Sequence, residues 1–181
     1  MSADLRYPIG KLEDQVYVNR KDFNEEVKAA LIRDIQLCPS MLEYAISNLD
    51  EHQLKVPYRD EGWTSLQVIH HVADSHMNAY IRFKLALTED NPTIKPYDEA
   101  AWANLSDTQA LPVNISLTLL HTLHTRWVSL MKDMSVADWQ RTYFHPGQGR
   151  AFTLWEALAV YAWHGKHHAA HITSLRERMG W

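Results

Sequence analysis

Cysteine is nearly absent: Cys38 stands alone among 181 residues. No disulfide can form within the chain, and a reducing compartment is the simplest setting. Cys38 itself reads as a small buried apolar residue rather than a nucleophile. An excess of positive charge is missing as well. Eighteen Lys and Arg against 22 Asp and Glu leave a formal net charge of -4, whereas a nucleic-acid binder should concentrate basic residues on one face. Nowhere do ~18 apolar residues run together as a membrane span requires. The opening residues 1–8 also lack the uninterrupted apolar stretch of a secretory signal. A cytoplasmic protein with neither nucleic acid nor membrane as partner is therefore expected. Internal repeats, low-complexity segments and alternating β-branched stretches are absent too, so strands are not demanded.

What is present is helical. Apolar residues make up 46% and charged residues 22% of a chain whose length suits one core, so a single domain over residues 1–181 is expected. From residue 24 to 49, Val27, Leu31, Ile35, Leu42 and Ile46 recur at helical spacing, but Pro39 should kink the helix or split it into two. Thr64 followed by Gln67 forms a capping box that opens a second helix to about Leu87. Prolines 92, 96 and 112 forbid a long helix over residues 90–114, leaving room for a short one at 98–105. A connection of that length is unusual and suits a cover over a site. Leu119, Leu120, Leu123, Trp127, Leu130 and Met131 then mark a third long helix within residues 115–134. Residues 141–150 read as loop. Thr153 and Glu156 form a second capping box, opening a last helix that ends at Gly180. Four long amphipathic helices with long connections predict an all-α four-helix bundle, a fold that builds metal sites from side chains on facing helices.

Histidine is abundant, with eleven in all, four of them between His164 and His171. On the last helix His164 and His168 are one turn apart at the edge of the apolar face set by Leu154, Leu158, Tyr161, Ile172 and Leu175. Buried imidazoles need hydrogen bonds or a metal ion, and a pair at this spacing suits one ion. His167 and His171 have the same spacing but point further outward. On the second helix, His76 falls on the apolar face and reads as a packing residue. His71 lies on a stripe with Gln67, Asp74, Ser75, Asn78 and Arg82, and this stripe fits either solvent or the wall of a polar cleft. A zincin would carry Glu directly after the first histidine as general base; here that residue is Gly165. A helical glycine costs about 1 kcal/mol relative to alanine, so Gly165 fits close approach of a ligand or a neighbouring helix.

Residues 62–80, with Gly62-Trp63-Thr64-Ser65-Leu66-Gln67 and His70-His71-Val72-Ala73-Asp74, closely resemble the signature of the YfiT group of the DinB superfamily. Residues 161–172, which hold His164-Gly165-Lys166-His167-His168, do the same, as do the ending Arg178-Met179-Gly180-Trp181, the run His124-Thr125-Arg126-Trp127 and the pair His145-Pro146. The resemblance spans essentially the whole chain. It implies a four-helix bundle with one divalent ion per chain, zinc first and nickel second, held by His71, His164 and His168. It also implies a metal-dependent hydrolase that forms a homodimer and acts on a small molecule. Relatives in the wider superfamily transfer low-molecular-weight thiols, which makes a bacillithiol-type S-transferase the alternative and a non-catalytic metal-binding protein the third reading. Family members often carry an acidic residue after the His-Pro pair. Here Gly147 follows, so an acid or base role for that loop does not transfer.

Three histidines leave a position open on a zinc-like ion, as in catalytic sites. Asp74, three residues after His71 on one face, is the candidate to accept a proton or orient a water, with a plain surface carboxylate as the alternative. His124 and His145 either line the pocket or are hydrogen-bonded structural residues. Arg82 and Arg126 either meet an anionic substrate or pair with bundle carboxylates. Trp63, Trp127 and Trp163 read as core aromatics.

Overall fold

Three of the four long helices start where a side chain can replace the missing backbone acceptor; the third in chain order follows Pro112 and has no such cap. The computed structural model describes residues 4–15 and 24–181; the first three residues of the N-terminal stretch considered above lie outside them. Asn24 accepts from the Val27 N–H and opens α1 (Glu25–Ile46). After a single turn, α2 (Glu51–Leu54), the Thr64–Gln67 capping box opens α3 (Ser65–Thr88) with reciprocal bonds of 3.0 and 3.1 Å. Two short helices follow, α4 (Glu99–Trp102) and α5 (Ser106–Ala110), and then α6 (Val113–Lys132) and α7 (Val136–Trp139). The Thr153–Glu156 box opens α8 (Leu154–Met179), which stops at Gly180 in the left-handed conformation with φ of 70°.

The four long helices close into a bundle. Helix α1 lies against α8 and α6, and α3 lies against the same two from the other side. Helix α1 is a single helix that runs through Pro39, not two. The apolar interior forms two clusters. One gathers Ile35, Phe83, Trp127 and Leu158, and the other Leu42, Val72, Leu120 and Ile172. On α3, α6 and α8 the residues separating the two clusters include His76, His124, and the pair His164 and His168. A polar layer thus divides the core.

Two expectations are corrected. Residues 141–150 are not simply loop, and the fold is not free of strands: β1 (Thr142–His145) pairs antiparallel with β2 (Arg150–Thr153). Four residues a side are too few to display a period of two, which is why the hairpin left no mark on the pattern. The hairpin also anchors the long connection, since Phe144 N–H donates to the Pro92 carbonyl and its own carbonyl accepts from Ile94. Residues 90–114 hold two short helices where one was expected. The connection is fastened to α3 by Gln67 donating to the Ala103 carbonyl at 3.1 Å, and by His70, whose ring nitrogens meet Ser116 Oγ at 2.7 Å and the Leu111 carbonyl at 3.2 Å. Part of the polar stripe of α3 therefore faces protein. No helix among the described residues is long and apolar enough to cross a membrane.

Candidate metal centre

The 3.6-residue period of α8 places His164 and His168 on one face, and packing of α3 against α8 brings His71 opposite them. One nitrogen from each of the three rings falls within 4.8 Å of the others. Nε2 of His71 and Nε2 of His164 are 3.2 Å apart. The rings of His164 and His168 meet edge to face at 4.4 Å, and His71 meets His168 similarly at 4.8 Å. Trp63 leans on His71 at 4.5 Å and stacks with His168 at 6.3 Å, closing one side.

Burial keeps these rings neutral. His71 is pushed down to about 4 by loss of water. His164 and His168 lie well below the ordinary histidine range, first through burial and then through neighbouring imidazoles. A neutral imidazole is the form that binds metal. Nδ1 of His168 is buried with no hydrogen-bond partner among the described residues. Nε2 of His71 and Nε2 of His164 can share at most one proton, and a divalent ion would take up the lone pairs that converge here. The donor set therefore fits such an ion: three imidazoles suit zinc, nickel or iron and leave a coordination position open.

Asp74 is half-buried on α3, and its carboxyl is pushed up to about 6, first by burial and then by the negative charge of Asp107. It is not among the groups that share the 4.8 Å cluster. His167 stacks on Trp163 at 4.2 Å, and His171 stacks on Tyr58 at 3.9 Å while its Nε2 meets the Arg6 carbonyl at 3.2 Å. Both are buried aromatic packing contacts, although on the helix they point further outward than His164 and His168. Trp127 is fully buried, but Trp63 and Trp163 are only half-buried; Trp63 lies on the site histidines His71 and His168, and Trp163 on His167. Arg82 is buried and donates to the Tyr161 hydroxyl at 2.9 Å, and Arg126 sits over the Tyr80 ring. Neither has a carboxylate partner among the ion pairs of the described residues. His145 ends β1 with a buried, unpartnered Nδ1 and a pKa lowered by burial and by Arg82.

The DinB superfamily pattern matches residues 34–172, a stretch that includes all three clustered histidines. The chain belongs to the DinB superfamily. Among DinB relatives, a protein of Bacillus cereus (strain AH820) named "Putative metal-dependent hydrolase" is 52% identical over 178 residues, covering 98% of this chain and 99% of the relative. One of the same name from Bacillus mycoides (strain KBAB4) is 53% identical over the same span and coverage. The solved structure of YfiT from Bacillus subtilis superposes with a TM-score of 0.92 at 46% identity, covering 98% of both chains. It is described as a probable metal-dependent hydrolase with an unusual four-helix bundle topology. The bundle expected from the sequence is thus the fold of this DinB protein.

Sequence reasoning missed His76. It was placed on the apolar face as a packing residue, and it is indeed fully buried, but its Nε2 lies 3.0 Å from Nδ1 of His164. A histidine on an apolar face five residues from the proposed ligand His71 was the available signal.

Proposed function

We propose that this chain is a metal-dependent hydrolase acting on a small molecule, with one divalent ion, zinc or nickel, held by His71, His164 and His168. The observation that carries the reading is the convergence of three neutral imidazole nitrogens from two helices within 4.8 Å. Such an ion, when bound with an open position, lowers the pKa of a coordinated water to ~7 and supplies a nucleophile at neutral pH. The histidines contribute lone pairs and fixed geometry. Trp63 excludes water from one side of the rings. Asp74, with its carboxyl raised to about 6, is poised to hold or give up a proton near neutrality, the range in which a general base works best. With Gly165 in place of a zincin glutamate, Asp74, three residues after His71 on α3, is the carboxylate assigned this role. A second copy of the chain as partner in a homodimer belongs to the same reading, and sedimentation analysis decides it.

The test is a panel of ester, amide and phosphoester substrates run with the zinc- and nickel-loaded protein, beside bacillithiol with haloaromatic electrophiles. Hydrolysis that is abolished by chelator and restored by metal supports the proposal. Metal-dependent thiol transfer without hydrolysis replaces it with the S-transferase reading, and metal binding without turnover leaves a metal-binding protein.

A further inference from the structure

Pro39 lies inside α1 and has no N–H, so the carbonyl of Ile35, four residues earlier, loses its helical donor. Ile35 is fully buried, where a carbonyl without a donor is costly. The replacement comes from α6: Nδ1 of His124 lies 2.5 Å from the Ile35 oxygen. The row continues from there. Nε2 of His124 is 2.9 Å from Nδ1 of His76, and Nε2 of His76 is 3.0 Å from Nδ1 of His164. Four helices contribute one group each.

The row has only one consistent set of protons. A carbonyl oxygen can only accept, so Nδ1 of His124 carries the hydrogen. A neutral imidazole has a single N–H, which leaves Nε2 of His124 bare to accept from Nδ1–H of His76. The same step repeats once more. Nε2 of His76 accepts from Nδ1–H of His164, and the lone pair that remains at the end is Nε2 of His164, facing Nε2 of His71 at 3.2 Å. Burial favours the neutral rings this requires.

We propose that the row from the Ile35 carbonyl through His124 and His76 holds His164 in its Nδ1–H tautomer with Nε2 presented to the ion, and that Pro39 is the residue that frees the terminal acceptor. His76 and His124 are positioning residues: they act through His164. The role at the ion rests on the metal reading above, whereas the tautomers do not. Cys38, His76 and His124 also lie within 4.8 Å of one another, yet every ring nitrogen of that trio is already engaged in the row. It is a proton-ordering element, not a second cation site. Gly165 permits the close approach, because a Cβ there would come within 2.6 Å of Cys38 Sγ and 3.7 Å of His76 Cε1.

Nitrogen-15 NMR of the metal-free, full-length protein labelled at histidine reads the tautomers directly at neutral pH. Nδ1–H is expected on His124, His76 and His164, the form free histidine populates less. A proton on Nε2 of His76 or His124 overturns the row. Chelator competition with zinc and nickel then measures affinity. His124→Phe is expected to weaken binding about tenfold or more, while His124→Gln, whose amide both donates and accepts, should retain most of it. Pro39→Ala leaves every histidine in place but returns an N–H to compete for the Ile35 carbonyl. Its melting temperature should hold or rise while affinity falls a few-fold, a divergence that a merely structural role does not produce. Unchanged affinity in both Pro39→Ala and His124→Phe overturns the proposal. Should the unaltered protein bind neither ion, the metal reading falls and the tautomers alone decide the row.

Discussion

The bundle holds two trios of metal-capable side chains a few ångströms apart, and they differ in what their donor atoms are doing. In the trio of Cys38, His76 and His124, exposures are 1%, 0% and 2%, and both imidazoles are saturated with hydrogen bonds. In the trio of His71, His164 and His168, the centre is less enclosed, two Nε2 atoms face one another at 3.2 Å, and Nδ1 of His168 has no hydrogen-bond partner among the described residues. Ligand type and distance alone do not distinguish these clusters. The lone pairs do: one trio spends them internally, and the other collects them at a single point.

The largest expected effect comes from breaking the collecting trio. The His164→Ala, His168→Ala double variant should drop from about one divalent ion per chain to background by elemental analysis. Stoichiometric metal surviving there would remove the assignment. The two trios should then separate in stability. His71→Ala in the metal-free protein deletes a ring with one hydrogen-bond contact, to His164, at the less enclosed of the two trios, so denaturant unfolding should show the smaller loss. His76→Ala leaves Nε2 of His124 and Nδ1–H of His164 without partners and opens a cavity in the core, for a cost of about 3 kcal/mol. Equal losses in the two variants would show that the clusters are not energetically distinct.

How far the sequence reached follows the same division. Capping boxes at Thr64 and Thr153 and the stop at Gly180 are local chemistry, and they set the ends of α3 and α8 within a residue or two. The i, i+4 spacing of His164 and His168 is also local. Periodicity does not decide the place of His71, because a stripe of short polar residues looks alike whether it meets solvent or another helix; only the family resemblance singles it out. The hairpin was invisible because four residues carry no period. The row through His76 and His124 was beyond reach for a different reason. Its successive members lie 48 to 89 residues apart along the chain, although Pro39 marks the orphaned acceptor locally.

Acid should act on both trios at once in the metal-free protein. His71, His124, His167 and His171 fall to about 4 in the fold, and burial also holds His76, His164 and His168 well below an ordinary 6.5. Above pH 6.5 these rings are neutral in both states and contribute no slope. Between 6.5 and about 4 the unfolded chain takes up protons that the folded chain refuses, so stability falls as pH falls. Asp74 has the opposite sign. Its carboxyl is raised to about 6 from 3.8, so the folded state binds its proton first and gains stability over part of that window. One carboxyl opposes these seven rings, joined by His70 and His145, which burial also lowers, and the rings win. Denaturant midpoints measured across this range should decline steadily below pH 6.5; a flat profile would mean the rings are hydrated, not buried. Bound metal should move the decline to lower pH by competing with protons for the collecting trio.

The smallest effect tests the contact that brings the trios together. Gly165→Ala gains about 1 kcal/mol of helix propensity. It also places a methyl within 2.6 Å of Cys38 Sγ and 3.2 Å of its Cβ, where Cys38 is buried and has little room to move. Overpacking of this kind costs about 1 to 3 kcal/mol, so a net loss of about 1 kcal/mol is expected. Adding Cys38→Ala removes the clashing sulfur and should recover most of the loss, because the two residues are in direct contact and their effects are not additive. If Gly165→Ala alone is stabilising, α1 and α8 separate easily at this level, and the distances that link His76 to His164 are not enforced by the backbone. Destabilisation with rescue would instead mean that the glycine is retained for closeness of approach. On that outcome the zincin glutamate is absent from position 165 because any side chain there would strike α1.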